Sequence, residues 1–341
     1  RRHQVNILIN TRVKIRLQVM FERVREWLRD VYVGELRQSL ELTPDHVAVI
    51  QDGNRRYARE RGLDPSDGHA HGAETTEDML HWCSDFDITE VTLYTFSTEN
   101  FSRPDEELID LFDLIEDRLY SFADADLVHQ NEVSIHGLGE IQRLPDRVAD
   151  AVAYAEAQTQ QYETLKLNIA LAYGGRNELL RTAQRLTHAV ADGELEPDAI
   201  TAETIGDRLY RQPVQDVDLV IRTGGDERTS NFLPWHASGN EAAVYFCTPY
   251  WPEFSKVEFA RAIRTYEARE HSWQETQFRR ALSLVRAVTQ SEYRRQTQLV
   301  QRLQDRLSRE TATRFMNSVS GGTDTATDDT EVQQGSSVPN D

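Results

Sequence analysis

Six short apolar runs, set apart by longer stretches with helical periodicity, constrain this chain most. The runs are His46-Val47-Ala48-Val49-Ile50, Glu90 to Phe96, Val133 to His136, Leu165 to Ala170, Val217 to Ile221 and Ala243 to Phe246. They are mostly continuous rather than alternating, as in strands covered on both faces. Helical spacing fills 105–122, 142–161 and 176–190 between them. A chain that alternates in this way is expected to be α/β, with a mostly parallel six-stranded sheet flanked by helices in a single domain.

That domain spans 43–275. Ahead of it, residues 1–42 place Phe21, Val24, Trp27, Leu28, Val31 and Tyr32 at helical intervals among Arg and Glu, which predicts an amphipathic helix packed on the domain. Contact with a membrane surface is the rival role for that stripe. Thr43-Pro44-Asp45 ends the helix. Further helices are expected over 276–317, and the Ser, Thr, Gly, Asp and Gln-rich stretch 318–341 reads as a disordered acidic tail. No internal repeat is visible.

Composition narrows the class. The formal net charge is -19 over 341 residues, and Lys occurs only at Lys14, Lys166 and Lys256. So acidic a chain argues against general nucleic-acid binding. It fits either an ordinary acidic cytosolic protein or one built for a salt-rich cytoplasm, where self-repulsion is screened. No run approaches the roughly 20 apolar residues of a membrane span, and the start carries no secretory pattern, so a cytoplasmic protein is expected. Cys83 and Cys247 are too few and too distant for a disulfide framework or zinc cluster.

The polar motifs fall just after the strands, where ligands bind in such sheets. Asp52-Gly53-Asn54-Arg55-Arg56-Tyr57 follows the first strand and opens a helix. A helix start with two Arg suits an anion, and a carboxylate beside it suggests a bridging Mg²⁺. The plain alternative is an Asp that caps the helix beside two solvated Arg. Phe96-Ser97-Thr98-Glu99-Asn100-Phe101-Ser102-Arg103-Pro104 follows the second strand. Arg222-Thr223-Gly224-Gly225, running into Arg228-Thr229-Ser230, follows the fifth, and Glu241 precedes the sixth. Five Arg at three strand ends of an acidic protein point to an anionic ligand; a structural Arg–carboxylate network is the alternative. No P-loop and no G-x-G-x-x-G after a strand is present, which disfavours nucleotide hydrolysis and dinucleotide binding.

Taken in order, His46 to Arg56, Gly68-His69, Phe96 to Pro104, Asn168 to Arg176, and Asp218 to Gly225 through Glu241 resemble the undecaprenyl and dehydrodolichyl diphosphate synthase family, the cis-prenyltransferases, over roughly residues 45–275. Gln51 and the Lys-poor composition are similar to archaeal members. The resemblance implies a homodimer of α/β subunits, each enclosing an apolar tunnel. It implies a transferase that adds isopentenyl diphosphate in cis to an allylic diphosphate, giving a long polyprenyl diphosphate with Mg²⁺ as cofactor. Geranylgeranyl diphosphate is the expected starter; a farnesyl-primed enzyme of other product length and a non-catalytic subunit are the alternatives. Carried over by position, Asp52 is the catalytic and Mg²⁺ residue, Asn100 a proton relay and Glu241 the second metal ligand. Gly53, Asn54, Arg55, Arg56, Tyr57 and His69 surround the allylic diphosphate. Ser97, Thr98, Glu99, Phe101 and Arg103 belong to the closing loop, and Arg222, Arg228, Thr229 and Ser230 to the isopentenyl diphosphate site. Thr95 is expected in the tunnel wall near the starter, and Leu144 at the tunnel's far end. Pro65 stands where the family has an Arg, and Arg61 is the expected substitute.

Overall fold

β-Branched and leucine-rich runs bounded by turns form the strands as expected. They are β1 (His46–Ile50), β2 (Glu90–Tyr94), β3 (Val133–Gly139), β4 (Leu165–Leu171), β5 (Leu219–Arg222) and β6 (Ala243–Phe246). All pair in parallel, in the order β3-β4-β2-β1-β5-β6. The computed structural model describes residues 27–287 except 211, 240 and 241, together with residues 20, 23, 24 and 316. Glu241, Phe21, the tail over 318–341 and most of the helices expected over 276–317 lie outside the described residues.

The helices are α1 (27–39), α2 (Asn54–Arg61), α3 (Pro65–Asp85), α4 (Asp105–Ala123), α5 (Asp126–Gln130), α6 (Asp146–Thr159), α7 (Gly175–Ala191), α8 (Ala202–Leu209), α9 (Pro234–Gly239) and α10 (Lys256–Ala287). The chain divides into two units, residues 1–270 and 271–341. The first contains the whole sheet; the second is described over 271–287, which is helical, and at Met316.

Within the first unit the period of two sorts each strand between two cores. Val47, Val49, Leu93, Leu167, Ile169, Leu219 and Ile221 face one side with Met79, Phe112, Ile115, Val148 and Phe259. Ala48, Ile50, Ala170 and Val220 face the other, against Val217, Phe232 and Leu233. A buried polar row crosses the strands: His46 Nε2 meets Thr92 Oγ1 at 2.8 Å, and Asn168 Nδ2 donates to Glu90 Oε1 at 2.6 Å and to Thr92 Oγ1 at 3.1 Å. Burial lowers the His46 pKa, so the ring is held neutral.

The N-terminal helix packs otherwise than its larger apolar residues suggest. Val24, Leu28, Val31 and Tyr32 are exposed, as is Trp27 at 62%. Val33 and Leu36 enter the core instead, with Leu40 packed beside them. Helical spacing offers two apolar stripes here, and the smaller one makes the contact. Glu267 on α10 anchors the turn that follows, its Oε1 accepting from the backbone N–H of Glu41 at 2.6 Å and of Leu42 at 3.3 Å.

Candidate active site

β1 has β2 on one side and β5 on the other, so the chain leaves it in opposite directions and a crevice opens beyond its carboxyl end. Asp52 sits there, two residues past β1. Thr223, one residue past β5, fixes the Asp52 backbone. Its hydroxyl accepts from Asp52 N at 3.0 Å and donates to Asp52 O at 2.7 Å, and Trp251 N donates to the same carbonyl at 3.0 Å. The next residue takes φ 108° and a Cβ there would lie 2.5 Å from the Tyr250 ring, so Gly53 is required. Gly53 is the N-cap of α2, with no side-chain cap. Asp52 is thus not a helix cap: its Oδ1 accepts from Arg56 Nη2 at 3.1 Å and its Oδ2 from Arg222 Nη2 at 2.7 Å.

Arg222 is 4% exposed and organises the loop beyond β5. Its Nη1 donates to the Arg228 carbonyl at 2.6 Å and to Ser230 Oγ at 2.7 Å, and Nη2 also reaches Asp226 at 3.1 Å. Arg228 itself is 71% exposed and stands 3.4 Å from Asp226. On the other flank, Glu107 holds Arg103 at 2.8 Å and Arg55 at 3.3 Å. The 3-10 turn Thr98–Ser102 is closed by a reciprocal cap in which Asn100 Oδ1 accepts from Ser97 N at 2.8 Å. That leaves the Asn100 amide N–H₂ for a ligand. His69, on α3, is lowered to about 4, first by burial and then by Arg103, so it is a neutral donor or acceptor at pH 7.

Two cavities adjoin here and share Gln51, Asp52, Asn54, His69 and Arg103. One, of about 660 Å³, is lined by Arg55, Arg56 and Arg59 with Leu63 and Pro65. The other, of about 320 Å³, carries Arg222, Arg228 and Ser230 at its polar end and Leu93, Leu111, Leu114, Ile115, Leu119 and Phe122 at its apolar end. Buried Asn54 Oδ1, His69 Nε2 and Arg222 Nε have no hydrogen-bond partner among the described residues. Arg outnumber carboxylates along both walls, and unpartnered buried polar atoms are costly. The arrangement suits an anion beside an apolar chain.

Most of the predicted residues meet at this crevice. Ser97 and Glu99 line the second cavity with Asn100. Thr98 is in neither lining, and its backbone N–H donates to Tyr173 O at 2.8 Å. Phe101 packs on Phe96 at 4.9 Å and lies under the Arg143 guanidinium at 4.7 Å. Tyr57 stands outside both linings, 3.9 Å under Arg61 and 5.7 Å from His71. Thr229 is half-buried and outside them too. Arg61 is bound to Glu253 at 2.5 Å and is not in the lining of the first cavity, which Arg59 and Pro65 share. Thr95 lines the second cavity; Leu144 is buried in the core and is not in that lining. Sequence reading missed Arg59 and Glu107, and gave no role to Thr223 and Gln51. The Arg55–Arg59 spacing of four on α2 and the Arg103–Glu107 spacing of four at the start of α4 are the signals that could have found two of them.

The undecaprenyl diphosphate synthase family model matches residues 50–274. A tritrans,polycis-undecaprenyl-diphosphate synthase (geranylgeranyl-diphosphate specific) of Haloarcula marismortui is 58% identical over 276 residues, 81% of this chain and 91% of that protein. One of the same name from Halobacterium salinarum is 59% identical over 268 residues, 78% and 89%. The crystal structure of lavandulyl diphosphate synthase from Lavandula x intermedia, in complex with dimethylallyl diphosphate, superposes with a TM-score of 0.63 at 31% identity, covering 67% of this chain and 97% of that one. With its parallel sheet and its strand-end residues in the order described, this chain belongs to the undecaprenyl diphosphate synthase family.

Proposed function

We propose that this protein condenses isopentenyl diphosphate units in cis onto geranylgeranyl diphosphate to give a long-chain polyprenyl diphosphate such as undecaprenyl diphosphate. The observation that carries this reading is an Arg-lined cavity joined, at Asp52, to a second cavity with an apolar end. The names of the haloarchaeal relatives support the starter. A diphosphate fits among Arg55, Arg56, Arg59, Arg103 and His69, with its prenyl chain directed past Thr95 toward Leu111, Leu114 and Phe122. A second diphosphate fits between Arg228 and Ser230.

Mg²⁺ suits this donor set. The ion takes one or two carboxylates and completes its shell with substrate phosphates. Asp52 is a partly exposed carboxylate that lines both cavities, and no cluster of three ligating side chains occurs among the described residues. Asp52 would hold the ion, with Glu241 as the second ligand by resemblance. Bound there, it would neutralise charge on the departing diphosphate.

The protein's own groups then act as follows. Arg55, Arg103 and neutral His69 donate to the oxygens on which charge develops as the allylic C–O bond breaks. Arg228 and Ser230 orient isopentenyl diphosphate so that its double bond attacks the allylic carbon. Asn100, an amide and no base, uses its free N–H₂ to hold the group that takes the departing proton. The apolar end of the second cavity shelters the growing chain from water.

The homodimer implied by the family fits β6, an edge strand with Val244 and Phe246 exposed. Peripheral membrane contact fits the exposed stripe of α1; among the described residues no helix is long and apolar enough to cross a membrane. The test is incorporation of labelled isopentenyl diphosphate into chloroform-soluble product by the wild type, with and without EDTA. Mg²⁺-dependent incorporation supports the reading, and product formed equally well in EDTA would remove the metal from it.

A further inference from the structure

The two loops that face the substrates are far apart in sequence and are joined through one residue. Tyr173 lies two residues past β4 and is fully buried. Its backbone grips the first loop: Tyr173 N donates to Phe96 O at 3.0 Å, and Thr98 N donates to Tyr173 O at 2.8 Å. Its side chain grips the second: the Leu233 N–H donates to Tyr173 Oη at 3.2 Å. The Phe232 ring meets Tyr173 edge-on at 5.8 Å and stacks on Tyr94 at 4.6 Å, with planes 5° apart.

The second loop needs such a hold. Ser230, Asn231 and Leu233 all have positive φ, at 50°, 55° and 45°. Non-glycine residues there persist only when their surroundings fix them. Gly175 lets the loop approach α7, since a Cβ at that position would lie 2.1 Å from Asn231 O.

Glu178, 2% exposed, sets the direction of the tyrosine hydroxyl. Its Oε2 accepts from Tyr173 Oη at 2.7 Å and from Tyr210 Oη at 2.8 Å. With its proton committed to Glu178, the Tyr173 oxygen presents only lone pairs to Leu233.

We propose that Tyr173, oriented by Glu178, is a positioning residue that locks the loop bearing Arg228 and Ser230 to the loop bearing Ser97 and Asn100, and so sets the affinity for isopentenyl diphosphate. The inference rests on the reading that Arg228 and Ser230 hold that diphosphate.

Tyr210 provides the control. It is a mostly buried tyrosine that donates to the same carboxylate oxygen, and no hydrogen bond from it to the second loop is present among the described residues. Tyr173→Phe and Tyr210→Phe therefore each remove one hydrogen bond to Glu178 Oε2, and only the first also strands Leu233 N–H. Steady-state kinetics should show the KM for isopentenyl diphosphate raised about fivefold to tenfold in Tyr173→Phe, the size that follows from one lost hydrogen bond. The KM for the allylic substrate should change by less than about twofold. Tyr210→Phe should lose comparable thermal stability with both KM values unchanged. Glu178→Gln is the second variant, useful if Tyr173→Phe does not fold. Its amide N–H₂ competes with Leu233 for the Tyr173 oxygen, so the isopentenyl diphosphate KM should rise there too. Equal KM values in Tyr173→Phe and Tyr210→Phe, or an unchanged KM in Glu178→Gln, would overturn the proposal. A wild type that incorporates no isopentenyl diphosphate would instead overturn the functional reading beneath it.

Discussion

Asp52 holds both of its carboxylate oxygens against guanidinium groups, while its backbone is fixed separately by Thr223 and Trp251. Asp52→Ala should therefore leave the fold intact, and kcat should fall by about a hundredfold or more, the scale of losing one organised electrostatic contact. Circular dichroism and the incorporation assay on the same sample test both halves; near-normal turnover would remove Asp52 from the chemistry. Arg59 gives a second test. Residues four apart share a helix face, so α2 presents Arg55 and Arg59 to the cavity and Tyr57 and Arg61 to one another. Arg59→Ala should raise the allylic diphosphate KM several-fold with the isopentenyl diphosphate KM unchanged, and Arg61→Ala should leave both unchanged. The reverse pattern would return the role to Arg61. These two residues also mark the limit of the sequence. Asp52, Arg222 and Arg103 were legible because each lies in a polar motif at the carboxyl end of a strand. Which of two nearby arginines faces the ligand depends on helix phase, and Pro65 gave no hint of it.

The six strands were legible to within a few residues because each is a short apolar run bounded by turns, too short for a typical buried helix. The first helix was not, since its larger apolar residues are exposed and Val33 and Leu36 pack; spacing alone does not say which of two stripes is buried. Thr95 and Leu144 divide in the same way. Thr95 lines the second cavity, so Thr95→Leu should fill it and shorten the product as judged by mass spectrometry. An unchanged chain-length profile would mean that the chain does not pass Thr95. Glu178, at the start of α7, was invisible as a site because its partners Tyr173 and Tyr210 come from other elements. Burial raises its pKa from 4.5 to about 7, with Tyr173, Tyr210, Arg181 and Arg185 opposing. The native state thus binds that proton more tightly than the unfolded chain. Stability from this group is greatest below pH 4.5, falls as pH rises toward 7 and is level above. Thermal unfolding at pH 5 and pH 8 should show the wild type losing stability relative to Glu178→Gln over that interval; a difference of opposite sign would contradict burial as the cause.

At the scale of the molecule, a net charge of -19 is set against a crevice where arginines predominate. The contrast places the attraction for an anion at one end of one sheet. The same charge predicts that molar KCl raises the melting temperature by screening self-repulsion; a maximum at low salt would contradict this. The fold class and the crevice were legible in the chain because both follow from strand order and strand ends. Starter and product length were not, because they depend on the shape of an apolar cavity to which many elements contribute. The central claim concerns the product itself. The purified protein should be given isopentenyl diphosphate with geranylgeranyl diphosphate, and separately with farnesyl diphosphate. Products should be sized by mass spectrometry and their new double bonds assigned by NMR. A long polyprenyl diphosphate near eleven isoprene units, with every added unit Z and geranylgeranyl diphosphate the better starter, is the predicted result. Added units of E geometry, or no elongation of either starter, would contradict it.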